Sequence, residues 1–286
     1  MACLRKAGDF LAVIKPNDQK HQADLQRLLG LRPIDDDFMR CLFKDNILLA
    51  ELVLRIITGK PDLVITACQT QKDMKRLAGA RSICLDAYGT DSSGKKYDME
   101  VQRSDKGAEP HRARYHSSVM DVENLDAGQQ FCELPDTYTI FIIEKDFYGM
   151  NKPVYSIERM NLDTGKPFED GEHILYVNGE YRDGSDIGKL MHDFNCTEAD
   201  DMNFKLMADR TRYLKENPKG VSEMCRIMED MRNESLKEGI KEGIKEGMKE
   251  AALRMLAARK YALEEIANIS GLSLEEVNKL KTERNT

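Results

Sequence analysis

Asp98, Glu100 and Gln102 alternate with Tyr97, Met99 and Val101, and the stretch Asp91-Ser92-Ser93-Gly94 parts them from a second alternating run. In that run Cys84, Asp86 and Tyr88 interleave with Ile83, Leu85 and Ala87. Side chains two apart share a strand face, so residues 82–88 and 96–102 read as a strand, a turn and a strand. If both apolar sets face a core, Asp86, Asp98, Glu100 and Gln102 line one common surface. Converging carboxylates repel one another and resist burial, and a hard divalent cation held by carboxylate oxygens offsets that repulsion. Such a cation also activates water and stabilises charge on a phosphate during in-line displacement. The same alternation suits an amphipathic hairpin whose wet face carries solvated acids.

The neighbouring elements must position this hairpin. Residues 34–58 place Phe38, Leu42, Leu48, Leu49, Leu52 and Ile56 at near-helical spacing. Acids at Asp35 to Asp37 suit a helix N-terminus, and Gly59-Lys60-Pro61 suits its end. Pro110 opens a helix expected to run to about Asn124. The nearly continuous apolar run 137–144 fits a strand buried on both faces, and 154–159 and 173–178 read as two more strands. Turns fall at Asp163-Thr164-Gly165 and Asn178-Gly179. Residues 185–194 and 200–232 read as helices, the second interrupted at Asn217-Pro218-Lys219-Gly220. The layout is α/β, a mixed sheet with helices before and after it.

The C-terminal part is different in kind. Leu236-Lys237-Glu238-Gly239 is followed by three similar tetrads ending at Ala251, which puts Leu236, Ile240, Ile244 and Met248 on a drifting stripe of one helix. Each glycine costs such a helix roughly 1 kcal/mol relative to alanine. A linker helix fits the repeat; so does a self-association stripe making a homo-oligomer through the C-terminal helix. Residues 263–277 resemble a helix-turn-helix unit with Gly271 at the turn and Ser273 and Glu276 as a capping box. Glu275 and Glu276 lie where a DNA-reading helix would meet the duplex, which favours packing or oligomerisation there.

Bulk properties narrow the classes. The chain has 286 residues, 41% hydrophobic and 33% charged, with a net charge of −7, so coating nucleic acid by bulk positive charge is excluded. A local patch (Lys72, Lys75, Arg76, Arg81, Lys95, Lys96, Arg103, Arg112, Arg114) is interleaved with acids. The seven cysteines are scattered without a CxxC pair, which argues against a disulfide framework or zinc site. His111 and His116 alone do not make a metal site. No apolar run approaches the roughly 20 residues that span a bilayer, and Lys6, Gly8 and Asp9 break up the first ten residues. The expectation is a cytoplasmic protein with no membrane partner.

Asp86 followed by Glu100-Val101-Gln102 resembles the motif of PD-(D/E)XK nucleases, an acid on one strand and acid-x-lysine on the next. Glutamine in the lysine position resembles the transposase-associated branch, the Rpn-like recombination-promoting nucleases. Asp37-Phe38-Met39-Arg40, the Arg- and Tyr-bearing run from Pro110 to Ser118, Leu134 to Ile143, Asp170 to Gly179 and the Lys-Glu-Gly repeats are similar to that family in the same order. The resemblance covers about residues 34–250. It implies a restriction-endonuclease-like mixed central sheet flanked by helices, with a helical C-terminal tail. The expected organisation is an N-terminal extension (1–33), a nuclease-like domain (34–234), a linker helix (235–260) and a helix-turn-helix-like segment (261–286).

It further implies a Mg²⁺-dependent DNA endonuclease, with Mn²⁺ as substitute, supporting recombination or transposition. Asp86 and Glu100 would ligate the metal, with the Val101 carbonyl as a third oxygen, and Gln102 would hold the attacking water or a phosphate oxygen. Asp37 would reach the metal from the first helix, where it equally suits a helix cap; Glu51 is a rival. Arg112, Arg114 and Tyr115 would contact the DNA backbone, or form an ordinary solvated helix face. Glutamine supplies only dipoles where lysine supplies charge, so the alternative is a catalytically decayed nuclease fold acting as a DNA-binding or regulatory protein.

Overall fold

The computed structural model describes residues 19–74, 83–103 and 107–284. Lys75, Arg76 and Arg81 of the basic patch, and residue 82 of the expected first strand, lie outside them. By contacts the chain divides into two compact units, Met1–Ile227 and Met228–Thr286.

In the first unit, helices α1 (Gln19–Gly30), α2 (Asp36–Phe43) and α3 (Ile47–Thr58) precede the strands. Helix α1 lies in the region expected as an extension, yet it buries Leu25 and Leu28. The single helix expected over 34–58 is two: Asp45 adopts φ 52°, a left-handed turn, and Asn46 starts α3 by accepting from the Leu49 amide at 3.3 Å. A two-helix corner keeps both apolar faces inward, with Phe38, Leu42, Leu49 and Val53 fully buried. Gly59, at φ 67°, ends α3 as expected.

The central sheet has six strands: β1 (Ile65–Asp73), β2 (Cys84–Asp91), β3 (Lys96–Gln102), β4 (Thr137–Ile143), β5 (Val154–Ile157) and β8 (Glu172–Asn178). Their spatial order is β1-β2-β3-β4-β8-β5. Pairs β1/β2, β2/β3 and β5/β8 are antiparallel, while β3/β4 and β4/β8 are parallel. The sheet is mixed and flanked by helices, with further helices C-terminal to it, as expected. Strand β1 was not anticipated from the sequence. β6 (Met160–Asn161) and β7 (Lys166–Pro167) form a separate small hairpin around the expected Asp163-Thr164-Gly165 turn. All seven residues of β4 are buried, which matches its apolar run.

Helix α4 (Pro110–Asn124) packs on β4; its Ala113 joins Phe141, Ile143, Tyr155 and Tyr176 in one cluster. Helices α5 (Asp186–Phe194) and α6 (Lys205–Glu216) complete the first unit, and α7 runs Pro218–Ala258. In the second unit α8 (Leu263–Ser270) and α9 (Leu274–Arg284) pack on the end of α7, with Ala252, Ile266, Leu272 and Val277 buried together. The capping box forms: the Ser273 amide donates to Glu276 Oε2 at 2.9 Å and the Glu276 amide to Ser273 Oγ at 3.2 Å. Among the described residues no helix is long and apolar enough to cross a membrane.

Candidate active site

The β2/β3 ladder runs from Thr90 paired with Lys96 to Ala87 paired with Met99, and there the paired register stops. Beyond it, side chains take over from backbone. The Asp86 amide donates to Glu100 Oε1 at 3.0 Å, and the Val101 amide donates to Asp86 Oδ2 at 3.4 Å. Two carboxylates thus staple the opened end of the hairpin, next to the C-terminal ends of β3 and β4. Ligands of open α/β sheets commonly bind at such carboxyl ends.

The face carrying the acids is not wet. Asp86 is 9% exposed, Glu100 1% and Asp98 0%; α4 covers Asp98 and Glu100, and α2 packs against β2 and β3. From α4, His116 Nδ1 lies 2.9 Å from Asp98 Oδ2, and its ring lies over Phe141 at 5.8 Å between centroids. Arg112 Nε donates to His116 Nε2 at 3.3 Å and Arg112 Nη2 to Glu100 Oε2 at 3.2 Å. With Nε2 accepting, the proton sits on Nδ1 and faces Asp98, so the ring is neutral. Burial likewise pushes the His116 pKa down. Arg112 therefore closes the site through Glu100. Arg114, two residues on, is exposed on another side of the helix, and Tyr115 is half-buried.

Electrostatics follow from this crowding. Burial first, then the nearby Asp36, pushes the Asp86 carboxyl up to about 6. Burial and Asp86 hold Asp98 well above the ordinary carboxylate range, and burial, Asp98 and Asp86 do the same to Glu100. Asp98 Oδ1 and the Thr139 hydroxyl directly across from it in register are fully buried, with no hydrogen-bond partner among the described residues. Three buried acids, one with an orphaned oxygen, form a cluster short of positive charge. That is the environment a divalent cation fits. Ligand atoms of Asp98, Glu100 and His116 lie within 4.8 Å of one another, but both His116 nitrogens are engaged, which leaves the carboxylates as the donors. A second close group, His192, Asp193 and Cys196, is structural: Asp193 caps the Asn203 and Phe204 amides at 2.8 Å each.

Asp37 pairs with Arg27, while its neighbour Asp36 is the acid of α2 whose charge reaches Asp86. Glu51 accepts from the Ile65 amide at 3.0 Å and pairs with Arg55 at 2.7 Å, so it serves the α3/β1 junction. A groove of about 720 Å³ is lined by Arg27, Arg32, Asp35, Asp36, Asp37, Arg103 and Glu144, among others. The Gln102 side chain rests on Gly107: a Cβ there would stand 1.7 Å from Gln102 Oε1. Gly107→Ala is therefore expected to leave the melting temperature nearly unchanged, because the flexible carboxamide swings away, but to misplace Gln102. A Gly107→Ala protein that cleaves DNA at the parent's rate at saturating Mg²⁺ would contradict this.

The model of the PD-(D/E)XK nuclease family transposases matches residues 42–181, the span that contains Asp86, Glu100, Gln102, Arg112 and His116. This segment is similar to that family. No curated protein and no solved structure matches the chain. The match supports a nuclease, a hydrolase, and the mixed sheet flanked by helices is consistent with the restriction-endonuclease-like fold. Sequence reasoning missed His116, which was set aside with His111; its i+4 spacing from Arg112 on one helix face was the available signal.

Proposed function

We propose that this protein is a Mg²⁺-dependent DNA endonuclease, with Mn²⁺ able to substitute, acting in recombination or transposition. The observation that carries the reading is the pair of buried carboxylates, Asp86 and Glu100, at the opened end of a hairpin within the family-matched segment. Asp86 and Glu100 would hold the ion, with the Val101 carbonyl as a further oxygen. From α2, Asp37, paired with Arg27, or its neighbour Asp36, whose charge reaches Asp86, would complete the site. When bound, the ion supplies Lewis acidity to the phosphate and lowers the pKa of water.

The chain's own groups do the rest. Asp98 and His116 brace the floor under Glu100. Arg112 holds the outer oxygen of Glu100 and keeps a cation beside the reacting phosphate. Gln102 positions: its amide donates to a phosphate oxygen or accepts from water, without the charge a lysine would bring. Gln102→Ala should then slow cleavage while leaving Mg²⁺ affinity mostly unchanged, and Gln102→Lys should preserve or raise the rate. Cleavage rates at saturating Mg²⁺, with calorimetry of metal binding, test this. Loss of metal binding in Gln102→Ala would contradict it; no cleavage by any variant on any DNA form would favour the decayed fold.

DNA backbone contact would fall to Arg114, exposed on α4, to the half-buried Tyr115 and to Arg112. Arg114→Ala should lower the slope of log affinity against log salt by about one unit, alike for all sequences, with little change in turnover of bound DNA. Arg112→Ala should also depress cleavage, because Glu100 loses its partner. Unchanged salt slopes in binding titrations would return Arg114 to an ordinary solvated surface.

A further inference from the structure

Helix α7 carries the tetrads of the repeat without a break. At 3.6 residues per turn, positions four apart form rows drifting about 40° per step. Round the helix the order is a glutamate row (Glu242, Glu246), a glycine row (Gly239, Gly243, Gly247), an apolar row (Leu236, Ile240, Ile244) and a lysine row (Lys237, Lys241). Leu236, Ile240 and Ile244 are 61%, 54% and 55% exposed. Beyond them Met248 and Ala252 turn to α8 and α9, so the uncovered apolar segment is 236–244. A Cβ at any of the three glycines would meet nothing within 4 Å, so the glycine row is an open furrow beside an apolar ridge.

A lone helix is poorly served by this pattern. Glycines weaken it, and like charges four apart repel, which offsets the attraction of Glu242 for Lys245 and of Glu246 for Lys249 at i,i+3. A second helix changes the balance in one orientation only. When two such helices lie side by side and parallel, the row order of one meets the reversed order of the other. Glutamates then face lysines at both flanks, and each apolar ridge enters the partner's glycine furrow, the ridge-in-groove packing of i±4 rows that crosses the two axes at about 50°. Antiparallel pairing would set glutamate against glutamate and lysine against lysine.

We propose that residues 236–247 of α7 are the docking surface for a second copy of this chain, paired parallel. The full chain should sediment at twice its 32.6 kDa mass. Ile240→Lys with Ile244→Lys should return it to monomer. Gly239→Ala with Gly243→Ala is the discriminating variant: helix content by circular dichroism should rise, yet dimerisation should weaken, because the furrow is filled. A charge test fixes orientation. Lys237→Glu/Lys241→Glu and Glu242→Lys/Glu246→Lys should each dimerise roughly tenfold or more weakly, and an equimolar mixture of the two should recover pairing. Carbodiimide crosslinks in isotopically mixed dimers should join lysines and glutamates of neighbouring number. A parent that stays monomeric at its highest soluble concentration, a dimer indifferent to the isoleucine or glycine changes, or crosslinks in antiparallel register would each overturn the proposal.

Discussion

Asp86→Asn is expected to cut Mg²⁺-dependent DNA cleavage by about 10³-fold or more, as several kcal/mol of charge stabilisation are lost at 1.36 kcal/mol per tenfold. The same change should raise the melting temperature of the metal-free protein. Asparagine keeps an oxygen to accept from the Val101 amide, while the charge that burial and Asp36 penalise is gone. Glu100→Gln should be as inactive without that gain in stability, because its new amide hydrogens turn toward the Arg112 guanidinium or the Asp86 amide, both donors. Cleavage assays with thermal melts of the three proteins check both halves. A folded Asp86→Asn protein that cuts like its parent would remove the site assignment.

The second large effect is a dependence of stability on pH that metal reverses. Asp98 and Glu100 have folded pKa values well above their ordinary ones, and Asp86 is raised to about 6. Folded protein therefore retains protons the unfolded chain has released, and metal-free stability falls as pH rises through the folded values. His116 works in the opposite sense below its ordinary 6.5, since its folded pKa is lowered and stability is lost as pH falls. Cation binding requires the ionised acids and releases protons, so Mg²⁺ should raise the melting temperature more near pH 8 than near pH 6. Melts across pH with and without Mg²⁺, and calorimetry in two buffers of different ionisation enthalpy, measure this. A Mg²⁺ effect independent of pH, with no proton release, would contradict the carboxylate cluster as its site.

The hairpin was legible because a period of two cannot be mistaken for a helix over Lys96 to Gln102, and the register follows from it. The burial of its acids was not legible. Whether Asp98 faces water or the underside of α4 depends on a helix twelve or more residues away in sequence, and alternation is the same in both cases. His116 escaped notice for the same reason: its partner Asp98 is a tertiary neighbour. The break at Asp45 was hidden because apolar spacing continues across the corner and no glycine or proline marks it. Strand β1 sits at the sheet edge, where Thr66, Cys68, Gln69 and Thr70 lack the apolar period of a core strand. Asp36 and Asp37 differ by one helical step, about 100°, and only the packed structure shows that Asp37 pairs with Arg27 while the charge of Asp36 bears on Asp86.

The central claim is most directly tested on supercoiled plasmid DNA. The purified full chain is incubated with Mg²⁺, with chelator, and with chelator followed by excess Mg²⁺, beside the Asp86→Asn protein prepared identically. The account predicts nicked or linear product with Mg²⁺, none with chelator, recovery when Mg²⁺ is restored, and none from Asp86→Asn. Cleavage that persists in chelator, or that Asp86→Asn performs as fast as its parent, would contradict it.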